Sequence, residues 1–298
     1  MKALLERVLL RFLVEIARLL PHRVALAFGA FLGRLLWAFS RRRVDRAEAR
    51  CVSVLGIGVT RARKVIRDSY LNLGRSAIEF VCMNQLKPRL NELITIEGLE
   101  NLKEAHARGL GVLAIVAHQG SWELAGARLV NEAYSFVPIA TPQRNRGGWD
   151  DFVQTQRRDV AGYSDIALSR GMGPREVVKA LKRGDVVLIL QDLDAREDGV
   201  VVPFLGLPAS TATGVVKLHT RFGSPVVPMV VLRCPDRIHH RIIIREILSD
   251  LTDKDGNPFG KDMVKSLQMC NNTLEAWIRS HPDQWMWLQD RWKSTVPL

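Results

Sequence analysis

The sequence predicts an α/β fold, in which a layered, mixed and largely parallel sheet is flanked by helices and preceded by an amphipathic helical hairpin. Short apolar runs typical of buried strands, among them 111–117 and 186–190, alternate with segments whose apolar residues recur at helical spacing. Such alternation is characteristic of sheets whose strands are joined through crossover helices. No repeat or long linker interrupts the pattern, which favours one compact domain after the hairpin.

The first 45 residues have the pattern of membrane-associating helices. In residues 3–20, charged side chains interrupt a leucine-rich run every three to four positions, which indicates an amphipathic helix and not a signal peptide. The next apolar stretch, 24–40, contains Arg34 and precedes an arginine cluster at 41–46. It is marginal for crossing a hydrocarbon core of ~30 Å, so we expect both helices to lie on an anionic membrane surface. A hairpin packed on the domain and a single transmembrane anchor are the alternatives.

Residues 46–298 form the predicted catalytic domain, which opens with a helix over 60–84. Buried-strand runs and helical periodicity then give the order of the remaining elements. We expect strand 93–97, helix 98–108, strand 111–117, helix 121–132, strand 134–140, helix 148–160, strand 165–168, helix 174–183, strand 185–191, helix 212–222, strands 225–233 and 240–247, and helix 260–280. The segment 202–214 is expected to be an apolar loop, and the tryptophans of the tail either close the core or reach a membrane interface.

The composition restricts the partners. A formal charge of +12, with an isoelectric point near 10.0, favours an anionic partner such as nucleic acid, an anionic membrane, phosphorylated lipid or an acidic carrier protein. No nucleic-acid motif accompanies the charge, so nucleic acid ranks last. The four cysteines are scattered without a C-x-x-C pair, which indicates a reducing compartment and argues against a zinc ribbon. We expect neither a metal nor a cofactor.

The segment 118–123 (HQGSWE) carries the most informative pair of side chains. On a continuous helix, five residues turn the chain by about 500°, which would leave His118 and Glu123 roughly 140° apart. The two meet only if a helix begins between them, and Gly120 followed by the N-capping residue Ser121 predicts such a start. We therefore expect Glu123 to reach back to the imidazole of His118, as in a histidine general base oriented by a carboxylate. A surface or capping role is the alternative.

Other polar side chains converge on the same expected sheet edge. Asp192 and Asp194 follow the buried run 186–190, so they reach the edge where His118 lies and can orient an arginine or hold a substrate hydroxyl. The composition of 202–214 favours a plain loop and helix N-cap, and the alternative is an apolar wall of an acyl channel that offers hydroxyls, including that of Thr211, to an anion. Four arginines after the corner are candidates for phosphate or oxyanion binding: Arg144, Arg146, Arg157 and Arg158.

Together these pieces resemble the bacterial lipid A biosynthesis acyltransferases, a branch of the lysophospholipid acyltransferase superfamily. The similarity covers nearly the whole chain, and its best-matching segments are 118–123, Asp192 at the end of its strand, 202–206 with 209–211, and 284–287 with 291–293. The resemblance implies acyl transfer from a thioester, on acyl carrier protein or coenzyme A, to a hydroxyl of a lipid A precursor. It also implies an enzyme at the inner membrane whose catalytic domain faces the cytoplasm.

Carried over to this sequence, the resemblance implies that His118 is the base and Glu123 its orienting carboxylate. Arg158 and Asp192 line the site, and Ser121, Thr211 and the helix amides beside the corner contact the substrate or its oxyanion. Ser121 stands where asparagine is commoner in the family, and Arg50 lies near another frequent asparagine. Two alternatives remain: a different acceptor, such as a glycosylated phosphatidylinositol or an aminolipid, and a non-enzymatic protein that binds membrane surfaces.

Overall fold

The computed structural model describes residues 12, 14–132, 134–140, 149–163, 166–167 and 173–296. Its α-helices are α1 (His22–Phe39), α2 (Arg41–Leu55), α3 (Val59–Val81), α4 (Met83–Leu86), α5 (Leu90–Leu93), α6 (Leu99–Ala107), α7 (Trp122–Val130), α8 (Trp149–Thr155), α9 (Gly173–Lys182), α10 (Gly214–Phe222) and α11 (Met263–Ser280). Its strands are β1 (Ile94–Glu97), β2 (Val112–Val116), β3 (Phe136–Ala140), β4 (Ile166–Ala167), β5 (Val186–Leu190), β6 (Val200–Phe204), β7 (Leu207–Thr211), β8 (Val226–Arg233) and β9 (His240–Ile244).

Seven of these strands form one sheet in the order β1-β9-β8-β2-β5-β3-β4. Neighbouring strands from β8 to β4 are parallel, whereas β9 runs antiparallel to β8 and carries β1 parallel to itself. Every residue of β2 and β8 is buried, because helices cover both faces of the sheet. The predicted α/β fold with a mixed, largely parallel sheet is confirmed.

The register between β2 and β5 positions the candidate site. Val116 pairs with Leu190, so the two strands end at the same level of the sheet. His118 and Asp192 each follow their strand end by two residues and therefore meet at the carboxyl edge, where ligands bind in folds of this kind.

The segment predicted as a loop over 202–214 is instead mostly a hairpin, which corrects the sequence interpretation. β6 and β7 pair antiparallel and place Pro203 opposite Pro208. Prolines lack the amide that a central strand needs, whereas an isolated two-stranded ribbon tolerates them. The turn consists of Leu205 and Gly206 with φ of 52° and 90°, the left-handed pair of a tight hairpin.

The amino-terminal helices pack directly on the domain. Glycines of α1 and α3 meet backbone to backbone: a Cβ on Gly74 would lie 2.1 Å from the carbonyl oxygen of Gly29, and a Cβ on Gly33 would lie 2.1 Å from that of Tyr70. Helix α2 runs through the boundary expected between residues 45 and 46. In the part of the chain that the structure describes, no single helix is long and apolar enough to span a bilayer, whereas α1 and α2 meet that criterion as a pair bent by 93°.

Candidate active site

A sharp strand-to-helix corner carries His118, as the sequence predicts. β2 ends at Val116, α7 begins at Trp122, and Gly120 between them has a φ of +63°. A Cβ at position 120 would lie 2.2 Å from the carbonyl oxygen of Val231 in β8, so only glycine fits this turn. The corner is therefore fixed both by its left-handed backbone and by its close approach to the sheet.

His118 is bonded to Asp192. Its Nδ1 atom lies 2.8 Å from Oδ1 of Asp192, and its backbone amide donates to Oδ2 at 2.8 Å. A carboxylate only accepts hydrogen bonds, so Nδ1 carries the proton and Nε2 presents its lone pair. No described residue hydrogen-bonds that Nε2 atom, and the ring of Trp122 lies edge-on to the imidazole with 5.3 Å between centroids. The pair therefore has the geometry of an oriented general base.

Asp192 is held ionised within the protein. It is almost fully buried, and the indole Nε1 of Trp285 donates to its Oδ2 at 2.8 Å. Burial alone would raise the pKa of this carboxyl, but the charge and hydrogen bonds of His118 and the bond from Trp285 outweigh it and lower the pKa below its usual value. Sequence reasoning did not connect Trp285 with Asp192, since the two lie 93 residues apart.

Glu123 has different partners from the one expected. The guanidinium of Arg157 donates to both carboxylate oxygens, with Nε 3.0 Å from Oε2, and the hydroxyl of Tyr163 donates to Oε2 at 2.6 Å. Burial, together with the charge of this carboxylate, raises the pKa of Tyr163 well above its ordinary value. The carboxylate that bonds the His118 imidazole is Asp192, which corrects the role expected for Glu123: it orients an arginine.

Arg158 points away from His118 and Glu123, which corrects the expectation that it lines the site. It is exposed and pairs with the neighbouring Asp159, with 2.6 Å between Nε and Oδ1. Arg158 was assigned from the family resemblance, and residues Gln156–Ala161 form a π-helical turn, whose wider winding displaces side chains from the 3.6-residue period of an α-helix. As a result Arg157 faces the site. The other two candidate arginines, Arg144 and Arg146, lie outside the described residues.

The hydroxyls of Thr211 and Ser121 were predicted to contact the substrate, but neither is exposed and free to do so. The hydroxyl of Thr211 donates to the carbonyl of Ala209 at 3.1 Å and accepts from the buried Arg291 at 2.7 Å, so its proton is already used. The hydroxyl of Ser121 is buried and has no partner among the described residues. Ser121 precedes α7 without a capping side-chain bond, and the first amides of that helix lie beside His118.

An apolar cavity begins beside the corner. The cavity is small, and Ala117 and Trp122, which stand on either side of residues 118–121, are among its lining residues. Helix α7 supplies one wall through Ala125, Gly126 and Leu129, and side chains of β3, β5, β8 and β9 supply the opposite wall. A carbon chain whose reacting end sits at His118 would thus find an apolar space under the sheet.

The tail tryptophans are buried and close the core, which decides between the two readings of the sequence. Trp285, Trp287 and Trp292 are each less than 5% exposed. Trp285 also pairs in an isolated bridge with Gln119, and the amide of Met286 donates to the carbonyl of His118 at 2.9 Å. The carboxyl-terminal segment therefore forms one side of the site.

Comparison with known proteins shows the family to which the chain belongs. The model of the bacterial lipid A biosynthesis acyltransferase family matches residues 5–294. The chain therefore belongs to that family and is an acyltransferase of lipid acceptors.

Several characterised relatives cover most of the chain. The lipid A biosynthesis lauroyltransferase of Escherichia coli K12 is 27% identical over 92% of this chain and 87% of its own, and the palmitoleoyltransferase of the same organism is 25% identical over the same shares. The phosphatidylinositol mannoside acyltransferase of Mycobacterium tuberculosis H37Rv is 29% identical over 76% of this chain and 68% of its own. Among solved structures, the 1-acyl-sn-glycerophosphate acyltransferase PlsC from Thermotoga maritima aligns with a TM-score of 0.39 at 13% identity, over 89% of this chain and 99% of that one.

Proposed function

We propose that this protein transfers a fatty acyl group from an acyl-thioester to a hydroxyl of a glycolipid, a lipid A precursor being the first candidate. The observation that supports the proposal most is the pairing of His118 Nδ1 with the buried Asp192, which leaves Nε2 to accept a proton. The names of the relatives point the same way, since they include a lauroyltransferase and a palmitoleoyltransferase of lipid A biosynthesis.

The proposed mechanism is general-base catalysis by His118. Its Nε2 takes the proton of the acceptor hydroxyl as that oxygen attacks the thioester carbonyl carbon, and Asp192 stabilises the imidazolium that forms. The tetrahedral intermediate then collapses, the carbon–sulfur bond breaks, and the imidazolium returns its proton to the departing thiolate. We assign the transient oxyanion to the amides at the start of α7, as the sequence predicts, without Arg158, which pairs with Asp159.

In this proposal the acyl chain occupies the cavity between α7 and the sheet. The lining is almost wholly apolar, and it includes Ala117, the residue before His118. The donor is acyl carrier protein or acyl-coenzyme A. The net charge of +12 suits either carrier, because acyl carrier protein is acidic and coenzyme A carries phosphates.

We also propose that the protein works on the cytoplasmic face of the inner membrane. Helix α1 exposes the large apolar residues Val24, Phe31, Leu35 and Phe39, the last of these 85% exposed. The exposed arginines 41–43 begin the next helix at the end of that stripe. An apolar helical face bordered by arginines is the pattern of a helix that lies in an anionic lipid surface.

The second candidate acceptor is a mannosylated phosphatidylinositol. The relatives that act on phosphatidylinositol mannoside reach 29% identity, as high as the lipid A enzymes, although over a shorter part of the chain. The chemistry at His118 is the same for both acceptors, so the two candidates differ only in what binds the head group.

A donor-by-acceptor assay tests the proposal. Purified protein in detergent receives labelled acyl carrier protein thioester or acyl-coenzyme A, with either a lipid A precursor or a phosphatidylinositol mannoside as the acceptor. We expect label in the lipid A precursor from at least one donor, and none with His118→Ala. Label only in the mannoside would establish the second candidate, and no transfer in any of the four combinations would contradict the proposed function.

A further inference from the structure

Helix α3 presents a row of polar side chains to the active site. Ser69, Asn72 and Ser76 recur at helical spacing, so they lie along one face of the helix. Both serines are buried, and all three make bonds outside α3. Their partners flank the His118–Asp192 pair on two sides.

The first serine acts on the segment that holds Asp192. The hydroxyl of Ser69 donates to the backbone carbonyl of Trp285 at 2.7 Å, and the indole of Trp285 in turn donates to Asp192 Oδ2 at 2.8 Å. The amide of Asn72 supports the same segment by donating to the carbonyl of Asp283 at 2.8 Å. Helix α3 therefore fixes the tryptophan that fixes the carboxylate.

The second serine acts on the corner that carries His118. The hydroxyl of Ser76 donates to the carbonyl of Gly120 at 3.1 Å and accepts from Arg233 Nη2 at 3.2 Å. Arg233 is held by Glu79, one turn further along α3, through bonds of 2.6 and 2.8 Å to its two carboxylate oxygens. Because Glu79 is fully buried, the arginine and with it the serine are kept in one position.

We propose that Ser69 and Ser76 are positioning residues, through which helix α3 holds the imidazole of His118 and the carboxylate of Asp192 in register. The inference rests on the proposed function, because it assumes that this pair is the base. It assigns to helix α3 a part in catalysis beyond packing against α1. Ser69 contacts the Trp285 segment and Ser76 contacts the corner. A shift of α3 would therefore displace both supports of the His118–Asp192 pair together.

The test compares three identical substitutions: Ser69→Ala, Ser76→Ala and Ser224→Ala. Ser224 is the matched control, because it is fully buried and donates to a backbone carbonyl, that of Leu110 at 2.6 Å, at the opposite edge of the sheet. Transfer from acyl carrier protein thioester to the accepted glycolipid is measured at saturating substrate and across pH, together with the melting temperature.

We expect kcat to fall about tenfold or more for Ser69→Ala and Ser76→Ala, because small misplacements of catalytic groups have effects of this size. The acid limb of their kcat/KM profile should shift, since the hydrogen-bonding environment of the base changes. Ser224→Ala should keep the wild-type kcat and profile, with a melting temperature lowered to a similar degree. Rescue of Ser69 by Ser69→Thr, which restores a hydroxyl, would support the role further.

Wild-type kcat and pH profile in both α3 variants would overturn the inference, even if their melting temperatures fell. The same would follow if Ser224→Ala lost as much kcat. The wild type and His118→Ala in the same assay report on the proposed function separately: if the wild type transfers acyl groups and His118→Ala does not, only the positioning role has failed.

Discussion

His118 and Asp192 are joined twice, side chain to side chain and backbone to side chain, each bond 2.8 Å long. The backbone bond ties the carboxylate to the loop that carries the imidazole, so the ring and its partner move together. A third donor, Trp285, occupies Asp192 Oδ2 as well. The parallel register of β2 and β5 makes this possible, because it brings residues 74 apart in sequence to one sheet edge.

The first prediction concerns the two aspartates that follow β5. Asp192→Asn removes the charge that orients and stabilises the imidazolium, so kcat should fall by ~10²- to 10⁴-fold, the range typical of a lost general-base function. Asp194→Asn is the matched control, because among the described residues Asp194 bonds Arg196 and Ser294, in contacts at the surface. Steady-state kinetics checks both, and equal losses in the two variants would contradict the assignment of Asp192.

The second prediction separates the neighbouring arginines. Arg157→Ala leaves the largely buried carboxylate of Glu123 without its cation, so activity should fall at least about tenfold. Arg158→Ala should stay within about twofold of the wild type, because Arg158 is exposed and its pair with Asp159 contributes little at the surface. Acyl-transfer rates decide the point. A larger loss for Arg158→Ala would mean that the original sequence assignment is right and the helix register is not.

The third prediction concerns acyl-chain length. Ala125 lines the cavity, so Ala125→Leu should reduce its volume and shift the preferred donor toward shorter chains. The control is Ala180→Leu, at a fully buried alanine of α9 that does not line the cavity. Both substitutions overfill the core, at a typical cost of 1–3 kcal/mol, roughly, in unfolding free energy. Competition among thioesters of different length distinguishes them, and an unchanged preference in Ala125→Leu would exclude this cavity as the acyl site.

The fourth prediction concerns stability and pH. Burial would raise the pKa of Glu79, but His240 and Arg233 hold it well below its usual range. A carboxyl with a lowered pKa stabilises the fold above its unfolded pKa, near 4.3, and this contribution disappears as pH falls. Glu79→Gln should therefore cost roughly 3–5 kcal/mol at pH 7, because it leaves Arg233 buried without a counter-charge, and clearly less at pH 3, where the unfolded carboxyl is already protonated.

Urea unfolding at both pH values measures this difference. Glu97→Gln serves as the control, since Glu97 forms an exposed pair with Arg241 and should contribute about 1 kcal/mol or less. A Glu79→Gln variant as stable as the control at pH 7, or equally destabilised at both pH values, would contradict the role assigned to the buried pair.

Much of the fold could be predicted from local patterns. The strand-to-helix corner was visible because an apolar run, Gly120 and Ser121 stand in one short segment, and Asp192 could be placed at the same edge because it follows a second buried strand. Both signals are local, and the parallel arrangement of the strands places the two residues at one edge of the sheet. The hairpin β6–β7 was missed since Pro203 and Pro208 make each strand look like a loop.

The partners within the site were harder to predict, because they depend on contacts distant in sequence. Glu123 was paired with His118 from the helix start between them and from the family resemblance, whereas its actual partners, Arg157 and Tyr163, lie 34 and 40 residues away. The π-helical turn that selects Arg157 over Arg158 leaves no clear mark in the periodicity. The bond from Trp285 to Asp192 likewise depends on how the carboxyl-terminal segment packs against α3.

A double-mutant cycle on His118 and Asp192 tests the central claim most directly. Single-turnover acyl transfer is measured for the wild type, His118→Ala, Asp192→Asn and the double variant. If the two residues act as one unit, the double variant should be no slower than His118→Ala alone, because Asp192 has no function without the imidazole. Losses that multiply in the double variant, or a His118→Ala enzyme that retains the wild-type rate, would contradict the claim that this pair is the catalytic base.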